Sequence, residues 1–163
     1  MSLEGLASLT YVGGSMQICG NYKLPNLDGL ESLAEVAGDL NVGCYDVISH
    51  GLENIDGLSG INRVGGMFSV ENNTKLQSLD GMYSLRQAQR IFIQYNPSLL
   101  TVRGLRHLRR FGLMNVVISL NESLPACDPL KLRDLLVAQG FHPGGFSASF
   151  NLGKGECTDW PNF

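Results

Sequence analysis

A seven-residue string, L-[DE]-G-L-x-S-L, recurs along this chain and narrows what it can fold into to a stack of similar coils. It reads LEGLASL from Leu3, LDGLESL from Leu27, IDGLSGI from Ile55, LDGMYSL from Leu79 and VRGLRHL from Val102, with starts 24, 28, 24 and 23 residues apart. Each copy leads to two apolar residues spaced i, i+2: Met16/Ile18, Leu40/Val42, Phe68/Val70, Ile91/Ile93 and Val116/Ile118. That spacing is a short strand with one face inward. So short a strand must pair with its counterpart in the next copy, which makes a parallel sheet running along a solenoid.

Three residues after the second apolar position stands an Asn, at Asn21, Asn73, Asn96 and Asn121. At one corner of every coil its amide can bond backbone groups of its own turn and the neighbouring one. The second copy breaks the rule, with Tyr45 in place of the Asn inside the insertion 44–50. The Gly of each string is expected to supply a turn conformation closed to other residues. Charged residues at only 17%, together with 20 Gly, suit tight-cornered coils whose strands mostly face one another.

The combined pattern resembles the receptor L-domain family, a leucine-rich β-helix module of cell-surface proteins, over about residues 3–125. The G-x-L-x-I-x-x-N part is best kept in Gly14–Asn21 and Gly66–Asn73. The ordinary leucine-rich repeat is the nearest rival, but these strings are too short and Gly-rich for its helical convex side. The fold expected is mainly β, a right-handed parallel β-helix of about five 24-residue coils with a C-terminal helix cap, as one domain over 1–163. Repeats fill 1–125, and a helix, a last rung and a cap fill 126–163. In the cap, Asp128 is expected as N-cap and Pro129 as the first helical residue, with Leu132, Leu135 and Leu136 apolar and Gly140 as the stop. Phe146–Asn151 reads as a sixth, degenerate rung.

Cys127 lies just before the cap helix and Cys157 just after the last rung, so a bridge would staple the cap. The same spacing is similar to the C-terminal ends of bacterial L-domain-like surface proteins, and the resemblance implies the bridge. Cys19 and Cys44 follow the inward pairs of adjacent coils at offsets that differ by one, so a bridge and two separate buried thiols both stand open. One good pair among four Cys points to an oxidising compartment. No apolar run is long enough to span a membrane, and the N-terminus lacks the features of a secretory leader.

Chemistry is sparse. No nucleophile, phosphate-loop or zinc motif occurs, and His50, His107 and His142 show no metal-ligand spacing, so neither metal nor cofactor is expected. Glu4, Asp28, Asp56 and Asp80 share one place in the repeat, where turn formation explains them better than a catalytic row. The charge layout is more informative. Residues 1–80 carry ten acids against three bases, whereas 81–121 hold six Arg and no acid: Arg86, Arg90, Arg103, Arg106, Arg109 and Arg110. Stacking would gather these ahead of the last two repeat strands as an anion-binding patch, since Arg captures carboxylate, sulfate or phosphate geometrically. With a net charge of −3 and no recognition motif, nucleic acid is not expected. The resemblance implies a non-catalytic extracellular or cell-surface module binding a protein or glycan, anionic if it docks on the Arg side. A carbohydrate-active β-helix enzyme and a structural spacer are the alternatives.

Overall fold

The computed structural model describes residues 2–44, 51–109, 112–157 and 160. In chain order the strands are β1 (Tyr11–Val12), β2 (Met16–Ile18), β3 (Glu35–Val36), β4 (Leu40–Gly43), β5 (Arg63–Val64), β6 (Met67–Glu71), β7 (Arg90–Gln94), β8 (Asn115–Ser119) and β9 (Phe146–Ser149), with one helix, α1 (Cys127–Ala138), before β9. All pairings are parallel, in a six-stranded sheet β2-β4-β6-β7-β8-β9 and a three-stranded sheet β1-β3-β5. The chain is a β-solenoid, mainly β, closed by one helix.

The register follows the i, i+2 pairs. Met16, Leu40, Phe68, Ile91, Val116 and Phe146 form one column, and Ile18, Val42, Val70, Ile93, Ile118 and Ala148 form the next. From Leu40 to Ile118 these side chains are wholly buried. The repeat strings supply the opposite wall, with Leu27, Leu30, Leu33, Ile55, Leu58, Ile61, Leu79, Met82 and Leu85 in the same core. The solenoid makes about four turns rather than the expected five, because five repeat strands enclose four circuits from strand to counterpart. The sixth rung, β9, is reached through α1 instead of a repeat string.

Buried asparagines tie the corners together. Asn96 Nδ2 donates to Val70 O at 2.9 Å in the preceding coil and to Gln94 O at 3.0 Å in its own, while its Oδ1 accepts from Asn73 N–H at 3.1 Å. Asn121 repeats this on Ile93 O and Ser119 O, and Asn151 extends the column by accepting from Asn121 N–H. The residue before each ladder Asn is left-handed: Asn72, Tyr95, Leu120 and Phe150 have φ of 55–60°. Among the described residues the Asn21 side chain makes only the local bond, to Cys19 O at 3.1 Å. At the start of the ladder, Asn73 Oδ1 has no hydrogen-bond partner among the described residues. The position that breaks the pattern, Tyr45, lies outside them with the rest of 45–50.

The Gly of the repeat string has a different role from the one expected. Gly57, Gly81 and Gly104 sit inside 3-10 turns at Asp56–Leu58, Asp80–Met82 and Arg103–Leu105, and none has positive φ. A Cβ on each would run into a backbone carbonyl of the preceding coil, that of Leu27, Ile55 and Leu79 respectively. Close approach of coils, not turn conformation, excludes a side chain. Only Gly29 has positive φ (105°), and the second copy there forms a plain turn whose Gly29 N–H is held by the Glu31 carboxylate at 2.9 Å.

The cap departs from expectation in two places. Helix α1 begins at Cys127 with Ala126 as its uncapped N-cap, so Asp128 is not the cap. Asp128 is wholly buried, and its carboxylate accepts from Thr101 Oγ1 at 2.9 Å, Val102 N–H at 2.7 Å and Trp160 Nε1 at 3.1 Å. Leu132 and Leu136 face the core, whereas Leu135 is exposed. The C-terminus ends as expected at Gly140 (φ 86°), with Gly140 N–H on Val137 O and Phe141 N–H on Leu136 O. Both disulfides are formed, Cys19–Cys44 and Cys127–Cys157, with Cα separations of 5.5 and 6.0 Å. Among the described residues no helix is long and apolar enough to cross a membrane.

Candidate functional site: an arginine-rich corner

The repeat strings stack into one face of the solenoid, and the Arg residues lie on its later coils. Backbone bonds fix the stacking order: Ala34 N–H to Thr10 O, Asn62 N–H to Ala34 O, Arg86 N–H to Asn62 O and Arg109 N–H to Arg86 O. Arg109 therefore sits directly on Arg86, one coil spacing of about 4.8 Å away. Three residues earlier in each string, Arg106 occupies in the last repeat coil the place of Tyr83 in the coil before. The Arg86 guanidinium donates to Tyr83 O at 2.8 Å and that of Arg106 to Arg103 O at 3.3 Å. These bonds fold both side chains back along the corner. Asp80, Tyr83, Arg103 and Arg106 line a shallow cleft of about 300 Å³ there.

The closeness of the cluster acts on His107. The half-exposed His107 imidazole is held below its usual range by partial burial first, and then by the charges of Arg86, Arg106 and Arg109. A group surrounded by cations resists becoming one. Arg86, Arg90 and Arg109 make no ion pair with a carboxylate among the described residues. Arg103 is different. It stands where earlier copies have Asp or Glu, and it grips Asp80 of the coil below through Nε at 3.0 Å and Nη2 at 2.7 Å. That pair pushes the Arg103 guanidinium still higher in pKa.

Of the six Arg singled out in the sequence, the fold brings together Arg86, Arg106 and Arg109 around His107, with Arg103 alongside but paired. Arg90 is set apart. It does not precede its strand but opens β7, in register with Met67 and Asn115 at the sheet margin. Arg110 lies outside the described residues. The acids Glu4, Asp56 and Asp80 each begin a 3-10 turn, and Asp28 begins the corresponding plain turn. A signal missed in the sequence is the polar residue two before each: Asn26, Asn54, Ser78 and Thr101 each accept the N–H of Asp28, Asp56, Asp80 and Arg103. These side chains fix the start of each turn.

The broad sheet offers a second surface. Its outward row in register runs Gln17, Asn41, Ser69, Phe92, Val117 and Ser147, a polar strip with two half-buried apolar residues at its centre. The neighbouring row holds Glu71, whose carboxyl burial pushes up, and Gln94, which bonds Ser119 Oγ at 2.8 Å. It has no concentration of charge like that of the Arg corner. No family model matches the chain, and no curated protein and no solved structure matches it either.

Proposed function

We propose that this chain is a non-catalytic extracellular or cell-surface binding module, of the type its receptor L-domain resemblance implies, which holds an anionic protein or glycan segment on its Arg-rich corner. The observation that carries this is Arg109 stacked on Arg86, with Arg106 and His107 beside them, within 41 residues that contain no acid. Two guanidinium groups one coil apart, on a rigid ladder, suit an anionic chain better than a single ion. Two disulfides are compatible with an extracellular setting. The acids at the turn starts support the same reading over a hydrolytic one, because they run along a corner and Asp80 is engaged by Arg103.

The test is retention on a heparin column of the protein and of the variant Arg86→Ser/Arg109→Ser. Loss of most of the salt-resistant retention is expected, and equal elution would remove the corner as a site. Turnover of a glycan, read as reducing ends, would replace the binding reading with an enzymatic one.

A further inference from the structure

The corner face that carries the Arg cluster carries the opposite charge at its other end. Read along the solenoid axis, its charged groups outside the Asp80–Arg103 pair are the exposed Glu4 in the first coil, Asp28 and Glu31 in the second and Asp56 in the third, then the half-buried Arg86 in the fourth and the half-buried Arg106 and exposed Arg109 in the fifth. Where opposite charges occupy the same repeat position in adjacent coils they pair within the molecule, as Glu35 with Arg63 and Asp80 with Arg103 do. Among the described residues Glu4, Asp28, Glu31 and Asp56 make no ion pair. Asp28 and Glu31 are held about three coils, or about 14 Å, from Arg106 and Arg109 by the stack, and Asp56, although one coil from Arg86, starts its repeat string whereas Arg86 follows the end of its own.

A face that is negative at one end and positive at the other is complementary to itself after a two-fold rotation. We propose that a second copy of this chain docks antiparallel on this corner. The axis passes between the third and fourth coils, so that Asp28 and Glu31 of each copy meet Arg106 and Arg109 of the other, and Asp56 meets Arg86. Tyr83, which is 48% exposed, lies in the coil beside that axis and supplies an aromatic anchor near the centre of the contact. The acidic coils of one copy thereby occupy the anion site of the other. Exposed ion pairs are individually weak and salt-screened, so this is a dimer of low ionic strength. The inference goes beyond the anion-site reading and stands without it.

Sedimentation velocity of the whole chain tests it. Dimer is expected in about 0.01 M salt, where the screening length is about 30 Å, and monomer in about 1 M, where it is about 3 Å. Two charge-reversed proteins supply the second arm. One carries Asp28→Arg/Glu31→Arg, at places where the fifth coil already has Arg103 and Arg106; the other carries Arg106→Glu/Arg109→Glu. Each alone is expected to be monomeric in low salt and their equimolar mixture dimeric, a recovery that misfolding could not produce. A monomeric wild type in low salt, or a mixture that stays monomeric, overturns the proposal. Heparin retention by a monomer that never dimerises would overturn this inference and leave the anion site standing. A salt-sensitive dimer that does not bind heparin would do the reverse.

Discussion

A methyl group added at Gly81 would occupy the space of the Ile55 carbonyl oxygen, and neither backbone can retreat without opening the coil stack. Gly5 holds the same place in the first repeat string, yet nothing lies within 4 Å of a Cβ built there. The two positions separate the effect of coil contact from that of turn conformation. Gly81→Ala is expected to cost about 3 kcal/mol as overpacking against backbone. Gly5→Ala is expected to be neutral or to stabilise by up to about 1 kcal/mol through the unfolded chain. Urea unfolding of both variants checks the pair, and equal losses would return the Gly to a conformational role. The recurrence of this Gly was legible in the sequence, but its reason was not. A linear string shows that a side chain is excluded without showing whether φ or a neighbouring coil excludes it. The ladder asparagines were easier, because an Asn at one corner of every coil has few other uses. Even so, Asn21 could not be sorted from Asn73, Asn96 and Asn121 until the fold showed which had a ladder partner.

At the scale of elements, α1 was legible as a short helix ending at Gly140 because its apolar spacing and stop signal are local. Its docking was not local. Asp128 looks like an N-cap beside Pro129, but the solenoid end has three donors that need an acceptor: Thr101 Oγ1, Val102 N–H and Trp160 Nε1. Satisfying them inside outweighs capping one helix outside, since buried unpaired donors cost about 1–3 kcal/mol each. The same turn of α1 carries the Cys127–Cys157 bridge, whose 30-residue separation stabilises by roughly 3–4 kcal/mol in the chain-entropy view. Asp128 and the disulfide thus fasten the final segment independently. Asp128→Asn keeps an oxygen for Thr101 and Val102 but turns an amide N–H toward the indole. Trp160 is the chain's one Trp, so its emission reports this contact alone. A red shift in the folded variant is expected, with a loss of about 1–3 kcal/mol. Thr101→Val is expected to lower stability while leaving the emission in place. An unshifted spectrum in Asp128→Asn would separate Trp160 from the hub.

For the whole molecule, the solenoid turns a one-dimensional charge sequence into a charged face. The six Arg were visible as an acid-free stretch, and their gathering followed from the repeat spacing. What the sequence did not separate was Arg103 from the rest, because its pairing with Asp80 depends on two copies of one motif position carrying opposite charges. His107 stood outside the patch altogether when sought as a metal ligand; its meaning comes from the three guanidiniums around it. Its depressed pKa makes a signed prediction. Above the unfolded value near 6.5 the imidazole is neutral in both folded and unfolded chains, so it carries no penalty there. As pH falls from that value toward the lower folded pKa, the unfolded chain takes up the proton first and stability declines. Below the folded pKa the loss is complete and constant. An anion bound among Arg86, Arg106 and Arg109 offsets the part of the depression that comes from their charges, so binding is expected to take up protons at pH values just above the folded pKa. Affinity for a polyanion is therefore expected to rise as pH falls, by at most about tenfold per pH unit for a single proton. His107→Gln, which keeps a polar side chain of similar size, is expected to bind at neutral pH as the parent does and to lose the slope. Calorimetric titration with a heparin oligosaccharide at several pH values, in buffers of different ionisation enthalpy, reads both the slope and the proton uptake. An unchanged slope in His107→Gln would place the titrating group elsewhere on the corner.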